Sequence, residues 1–396
     1  QKKKNHPDGQ INEEVYVFGS FTQSKMYRKG VRCTDCHNPH SLKLKFTGNK
    51  LCTQCHLEAR YDVPSHHHHK MGTKGAACVE CHMPSKTYMG VDPRRDHSLR
   101  IPRPDLTVKL GTPNACNQCH TKAEENAEWA THKVEEWYGP KRRDDPHYGE
   151  ILAAGRAGKS EAEQSLIKLT REKEVGPIVR ATAVSLLATR YNTTESREAV
   201  ERALKSKEEL VRLAALQGFE GWTPGPEQDA SEIGKLLAEG LSDSSRGVRA
   251  EVARILSGLP IMPDTRQNQK ALKQALEEYK AGLLADGDQS GSHMSLGILY
   301  ANQGDLKKAE TEFRTAIKLS PAVTGPRSNL AQLLEQQGRA DEVKTLRTKE
   351  AELLARDARL LPENPMLQYR LGLLYYLLGR EDEAVTALTK ACELEP

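Results

Sequence analysis

Eight of the nine cysteines lie in four copies of one pattern, in which two cysteines stand three positions apart and a histidine follows at once. The copies occupy residues 33–37, 52–56, 78–82 and 116–120. Two thiols at this spacing can reach the two vinyl groups of a porphyrin, and the imidazole of the next residue can then bind the central iron. The pattern predicts four covalently bound haem c groups. The attaching residues are Cys33, Cys36, Cys52, Cys55, Cys78, Cys81, Cys116 and Cys119, and the iron-binding residues are His37, His56, His82 and His120.

The first two copies also allow a different metal. Cys33, Cys36, Cys52 and Cys55 have the C-x₂-C-x₁₅-C-x₂-C spacing of a zinc ribbon, in which four thiolates surround one Zn²⁺ ion. A zinc ribbon needs no histidine after its second cysteine, whereas haem attachment does. The histidine in all four copies therefore favours haem, with zinc as the alternative.

A second ligand for each iron must come from elsewhere in the chain. The histidine candidates are His40, the run 66–69 and His97. Pro39 favours an extended turn that directs His40 away from the haem of His37 and toward a neighbouring haem. Methionine is the alternative ligand and would raise the reduction potential; the candidates are Met26, Met71, Met83 and Met89. We expect the remaining histidines of this region at the surface: His6, His132, His147 and part of the run of four.

These residues lie in a region with little regular periodicity. Residues 1–138 are dense in proline, glycine and lysine and form the first predicted domain, a tetrahaem cytochrome c module. Apolar residues recur at helical spacing only over residues 122–138, where Ala130 and Val134 share one side. Residues 138–146 predict a linker, because Gly139, Pro140 and a run of charges interrupt any periodic pattern.

The second predicted domain, residues 150–262, is rich in Ala, Leu, Glu, Lys and Arg. A Val-Arg pair opens an apolar helical segment at Val179, at Val211 and at Val248. The recurrence resembles HEAT-type helical pairs, which stack because one helix cannot bury its apolar face alone.

The third predicted domain, residues 265–396, has the tetratricopeptide spacing of small and apolar residues. One copy contains Leu296, Gly297, Tyr300, Ala309, Phe313, Ala316 and Pro321, and another contains Leu371, Gly372, Tyr375, Ala384, Leu388, Ala391 and Pro396. A degenerate copy with a longer second helix lies between them. Gly297 and Ala309 are expected where two helices cross closely, and the prolines are expected to end helices. His293 and Cys392 are expected in the repeat core.

Bulk properties exclude two classes of partner. The net charge of +4 over 396 residues gives no basic excess for nucleic acid. No apolar run is long enough for a transmembrane helix. The chain begins at Gln1 without a hydrophobic leader, and we expect a removed signal or missing upstream sequence.

Residues 15–138 resemble the haem module of the cytochrome c554 and cytochrome c nitrite reductase group. The whole chain resembles bacterial multihaem c-type cytochromes that are fused to tetratricopeptide repeats. The resemblance rests on residues 30–40, 66–69, 81–84, 92–97 and 114–116. It implies that His40, His66, His69 and His97 bind the irons of neighbouring haems. Nitrite reductases of this group replace one attachment histidine with lysine, whereas all four motifs here end in histidine.

The sequence therefore predicts a mainly α-helical chain, with an irregular, loop-rich multihaem module followed by an α-solenoid. The leading function is electron transfer through four closely packed haems, with the repeats docking redox protein partners. The alternatives are a subunit of an extracellular conducting filament that associates with itself, and a haem enzyme with one open iron. An electron carrier is preferred to an enzyme, and haem attachment predicts a periplasmic or extracellular location.

Overall fold

A computed structural model describes residues 5–13, 16–140, 146–219, 230–259 and 264–395. The chain divides into two compact units, residues 1–222 and residues 223–396. Both units are built mainly from α-helices, which confirms the predicted fold class. No helix among the described residues is both long and apolar enough to cross a membrane.

The haem-motif region of the first unit consists of short helices separated by turns. Many of its helices have only four or five residues, because proline, glycine and capping residues interrupt them. Its α-helices are Val17–Phe21, Lys25–Arg28, Cys33–Cys36, Lys50–Thr53, Glu58–Tyr61, Pro64–His67, Cys78–His82, Pro104–Leu110 and Ala127–Tyr138. Two 3₁₀ turns span Lys74–Ala76 and Cys116–Gln118, and the strands Ser85–Tyr88 and Asp92–Arg95 pair antiparallel.

The helix predicted over residues 122–138 begins later than its periodicity indicated. It spans Ala127–Tyr138, because the Asn126 side chain accepts a hydrogen bond from Trp129 N and caps the first turn. Ala130 and Val134 are buried, as the periodicity predicted. Residues 141–145 of the predicted linker lie outside the described residues.

The rest of the first unit is a run of amphipathic helices. They span Tyr148–Arg156, Ala162–Leu169, Pro177–Arg190, Thr194–Ala203 and Glu209–Gly218. Val179 and Val211 lie in the first turns of two of these helices and are buried, whereas Arg180 forms an ion pair with Glu208 at 3.3 Å. The Val-Arg pair thus divides into one core residue and one residue that ties adjacent helices together.

The second unit is a succession of helices joined by short turns. It contains Ala230–Glu239, a 3₁₀ turn Gly240–Ser242, Arg246–Ser257, Arg266–Ala285, Ser290–Asn302, Leu306–Leu319, Pro326–Glu335, Ala340–Leu360, Pro365–Leu377 and Glu381–Leu394. The degenerate middle repeat has the longer second helix that the sequence predicted. Pro321 follows the end of the Leu306–Leu319 helix, while Pro396 lies outside the described residues.

Close helix crossings explain the small residues of the repeats. A methyl group at Gly297 would lie 2.5 Å from the ring of Phe313, and one at Gly372 would lie 2.7 Å from Leu388. Such distances are well below van der Waals contact, so only glycine permits the observed packing. Ala309 is fully buried at the same crossing.

Two side chains differ from their sequence expectation. Cys392 is exposed, and its neighbour Ala391 is the residue that faces the core. Consecutive helical positions lie about 100° apart, so one position separates the two environments. His147 was expected at the surface but is half-buried: its Nδ1 accepts a hydrogen bond from Gly149 N and caps a helix. Burial, with a smaller effect from Arg103, lowers the pKa of His147 to about 4.

Candidate functional site

Three of the four motif histidines face another imidazole. The ring centroids of His37 and His97 are 6.4 Å apart, with an interplanar angle of 26°. The rings of His66 and His82 are 6.2 Å apart and nearly parallel, at 10°. The rings of His69 and His120 are 6.1 Å apart and tilted by 52°. Three independent pairs therefore share nearly the same separation.

This separation matches two imidazoles on opposite sides of one metal ion. A ligating nitrogen lies about 2 Å from such an ion, and the ring centroid lies about 1 Å beyond the nitrogen. Two opposed rings consequently have centroids about 6 Å apart. Direct stacking would bring the rings much closer: His68 and Trp137, which do stack, are 4.1 Å apart at 4°. The three histidine pairs thus enclose a gap with the thickness of an iron and its porphyrin.

Hydrogen bonds orient the paired rings through their Nδ1 atoms. His82 Nδ1 lies 2.7 Å from the carbonyl oxygen of Arg100, and His37 Nδ1 lies 3.0 Å from that of Leu42. His97 Nδ1 lies 2.9 Å from the carbonyl oxygen of Arg95. In the tautomer that donates these bonds, the proton sits on Nδ1 and leaves the lone pair of Nε2 available to a metal.

The run of four histidines divides into two kinds of residue. The Pro64–His67 helix ends at His68, whose φ of 55° is left-handed and reverses the chain. His66 and His69 therefore face different motif histidines, whereas His67 Nε2 contacts Met71 Sδ at 3.2 Å and His68 stacks on Trp137. Burial, together with its two histidine neighbours, lowers the pKa of His68 and so favours the uncharged ring.

A β-hairpin and a half-buried arginine position the His37 and His82 sites. Strand Asp92–Arg95 ends two residues before His97, and Asp96 N donates a hydrogen bond to Pro84 O at 3.0 Å. Arg100, whose carbonyl oxygen faces His82, is anchored by its guanidinium to Asp8 O, to Tyr148 and to Ser98. The N-terminal turn and the hairpin thus converge on these two imidazole pairs.

The sequence did not single out the residues that surround the His69–His120 pair. A cavity of about 530 Å³ adjoins the pair, and Trp129 and Trp137 form part of its wall. Gly75 lies against His69, and a methyl group at Gly75 would meet His69 Cδ2 at 2.3 Å. The apolar aromatic wall suits a porphyrin face. Trp129 and Trp137 of the predicted helix were the sequence feature that could have indicated this cavity.

The four cysteine motifs lie next to one another in sequence order. The Cys52 and Cys78 side chains are hydrogen-bonded to each other, which raises the pKa of Cys52 and lowers that of Cys78 to about 7. Burial, and then the nearby Cys116 thiol, raise the pKa of Cys81 to about 11. Asn49 joins the second and third motifs, since its side-chain oxygen accepts a hydrogen bond from Cys78 N at 2.9 Å.

The second motif and His40 do not share this arrangement. Among the described residues, which include all fourteen histidines, no imidazole faces His56 at the separation seen in the other three pairs. The ring of His56 instead meets Tyr61 edge-on at 5.7 Å. His40, the fourth candidate, is exposed and stacks on no motif histidine of the described chain.

The zinc interpretation finds no support in the geometry. Within the described residues, which contain every cysteine, no group of three or more histidine, cysteine or carboxylate side chains converges to hold a metal ion. A tetrahedral zinc site needs four such donors around one point.

Comparisons with known families match both the motif region and the repeats. Residues 25–61 match the family described as "Doubled CXXCH motif", and residues 61–174 match the family described as "Cytochrome c552". Residues 290–323 and 365–396 match tetratricopeptide repeats. The chain is a multihaem c-type cytochrome fused to tetratricopeptide repeats. The cytochrome binds haem c covalently, and its repeats are a type of module that contacts other proteins.

Other comparisons add little. No curated protein matches the cytochrome. Among solved structures, an IFIT1 monomeric mutant with m7Gppp-AAAA is similar at 14% identity, over 68% of this chain and 77% of that chain. Its TM-score of 0.32 is too low to carry an argument.

The residues of the module fit the haem groups that the family implies. Three imidazole pairs have the separation of axial ligands, and an aromatic-walled cavity adjoins one of them. The Nδ1 atoms of His37, His82 and His97 each lie within hydrogen-bond distance of a carbonyl oxygen. Each pair combines one motif histidine with one histidine from outside the motifs.

Proposed function

We propose that this cytochrome carries four haems and transfers electrons along them between redox protein partners. The observation that carries the proposal is the repeated separation of 6.1–6.4 Å between opposed imidazoles. Two imidazoles bound to one iron would leave that iron no position for substrate, which suits electron transfer rather than catalysis. A haem iron held in this way gains and loses one electron without changing its ligands.

The proposed iron ligands are the opposed pairs: His37 with His97, His82 with His66, and His120 with His69. The eight motif cysteines attach the four porphyrins. Because the ligands are imidazoles and not methionine sulfur, the expected reduction potentials are low. The chain's part in the reaction is to hold the rings in place before electron arrival, so little rearrangement accompanies each transfer.

Close packing of the motifs supports passage from haem to haem. Cysteines of consecutive motifs lie near one another, Cys36 by Cys55, Cys52 by Cys78 and Cys81 by Cys116. Tyr61 lies between two of the haem sites, edge-on to both His56 and His66 at 5.7 and 5.3 Å. The four haems are therefore expected to form a continuous path in the order of their motifs.

The helical repeats are proposed to dock the redox partners, and HEAT-like pairs in residues 150–262 are proposed to belong to the same scaffold. A repeat array offers an extended surface for a protein partner. We place the cytochrome in the periplasm or outside the cell, where c-type haem attachment takes place.

The test is to count and titrate the haems of the purified holoprotein. Pyridine haemochrome absorbance and intact mass should give four haems per chain. Potentiometric titration should show reversible reduction of all four, and at least three should have low-spin electron paramagnetic resonance (EPR) signals. Fewer than four haems, or three or more high-spin haems, would contradict the proposal.

A further inference from the structure

We propose that the haem attached at Cys52 and Cys55 receives its second axial imidazole from His40 of a second copy of this chain. The inference rests on the proposed function, since it concerns one of the four haems. It assigns a role to His56, the motif histidine that no imidazole opposes in the described chain. It also assigns a role to His40, the predicted histidine ligand that faces no motif histidine there.

A count of the histidines leaves one that is well placed to give a second imidazole to the haem of the second motif. All fourteen histidines lie in described residues, and seven of them are motif histidines or their opposed rings. Among the rest, the side chains of His67, His68, His147 and His293 have partners within the chain. Three imidazoles then remain: His6, which is half-buried, and His40 and His132, which are exposed. His132 lies on the helix Ala127–Tyr138, whereas His40 lies on a hairpin beside the first motif.

The hairpin that presents His40 comprises residues 36–45. His37 and Leu44 form an antiparallel bridge, and Asn38 N donates a hydrogen bond to Lys43 O at 2.8 Å. At the tip, the Asn38 side-chain oxygen accepts hydrogen bonds from His40 N and Ser41 N, both at 3.0 Å. These bonds fix the backbone of the turn, and the His40 side chain at its tip is exposed.

The acceptor site is accessible from solvent. Cys55 and His56 are both exposed, unlike the half-buried histidines of the three opposed pairs. An incoming hairpin can therefore approach the imidazole of His56 more readily than those of the other three motifs.

Apolar side chains flank both halves of the proposed contact. Leu57, next to His56, is 71% exposed, and Leu42 and Leu44 on the hairpin are 75% and 52% exposed. Burial of such side chains against one another would add hydrophobic stabilisation to the metal–ligand bond.

Each copy can give one imidazole and receive one, either mutually in a two-fold dimer or head to tail in a ring or a filament. A second copy fits better than a small ligand, because the same chain carries one surplus imidazole and one iron without an opposed ring.

The experiment follows the spin state of the holoprotein as its assembly state changes. Full-length protein is examined by EPR, by carbon monoxide binding to the reduced form and by analytical ultracentrifugation across a concentration series. The dilute monomer should have one haem in four that is high-spin and binds carbon monoxide. That signal should convert to low-spin in proportion to association.

The variant His40→Ala should stay largely monomeric and keep the one high-spin haem at every concentration. The matched control is His132→Ala, which removes another exposed imidazole and should behave like the unmodified protein. Four low-spin haems in the monomer, or normal conversion in His40→Ala, would overturn the inference. So would a high-spin haem that persists in the assembled protein. Haem number and reversible reduction, measured on the same samples, test electron transfer separately.

Discussion

Gly75 offers a direct test of whether His69 binds an iron. A methyl group at this position would lie 2.3 Å from His69 Cδ2, whereas unstrained carbon atoms stay at least about 3.5 Å apart. The variant Gly75→Ala must therefore move the ring by about 1 Å. A metal–nitrogen bond tolerates a change of only about 0.2 Å, so the substitution should displace the ring from an iron bound by His120.

The expected result is one additional high-spin haem that binds carbon monoxide when reduced. The midpoint potential of this haem should rise, because the lost imidazole stabilises ferric iron more than ferrous iron. The rise is about 59 mV for each factor of ten between the two affinities. Added imidazole should restore the low-spin spectrum. EPR, carbon monoxide titration and redox potentiometry of the holoprotein measure these effects.

The matched control is Gly19→Ala, because an added methyl group there meets no atom within 4 Å. This variant should keep the parent spectrum and potentials. If Gly75→Ala also keeps every low-spin haem and every potential while remaining folded, then His69 is not an axial ligand and the spacing of the pair has another cause.

Two further predictions concern the repeats, and urea unfolding of the full chain followed by circular dichroism measures both. Gly297→Ala should lower the free energy of unfolding by about 1–3 kcal/mol, because its methyl group would lie 2.5 Å from Phe313. Gly291→Ala, which meets nothing within 4 Å, should have little effect; equal losses would refute the close-crossing argument. Burial opposes protonation of His293, but hydrogen bonds to Glu312 and a carbonyl raise its pKa. The stabilisation is thus complete below about pH 6.5 and is lost as pH rises through the higher folded-state pKa. Glu312→Gln should cost about 1 kcal/mol at pH 6 and less at pH 8; an equal cost at both would contradict the assignment.

Local patterns were sufficient for much of this structure. Each cysteine motif includes the histidine that is expected to bind its iron. The repeat spacing identified the Gly297 crossing. Both features depend on a few neighbouring residues. The Ala127–Tyr138 helix was found from its periodicity, but its start was set by the Asn126 cap, which an apolar pattern does not report.

Non-local geometry limited the rest. The sequence of the histidine run does not indicate that His66 and His69 face different motifs. That arrangement depends on the left-handed turn at His68 and on segments distant in sequence. Burial of Cys392 was mispredicted since composition does not fix which side of a helix meets its neighbour. Gly75 gave no sequence signal, as its importance lies in a contact with His69.

The opposed histidine pairs also determine which distant segments of the module are linked to one another. His97 returns to His37, and His120 returns to His69, so the chain segments that they bound overlap instead of following one another. Under the proposed ligation, each iron acts as a cross-link that closes a loop, and the overlapping loops restrict the unfolded chain much as a set of disulfides does. Because most of its helices are very short, this region would then depend on its cofactors for mechanical integrity. Loss of one of these bonds would loosen the segments that hold the other haems.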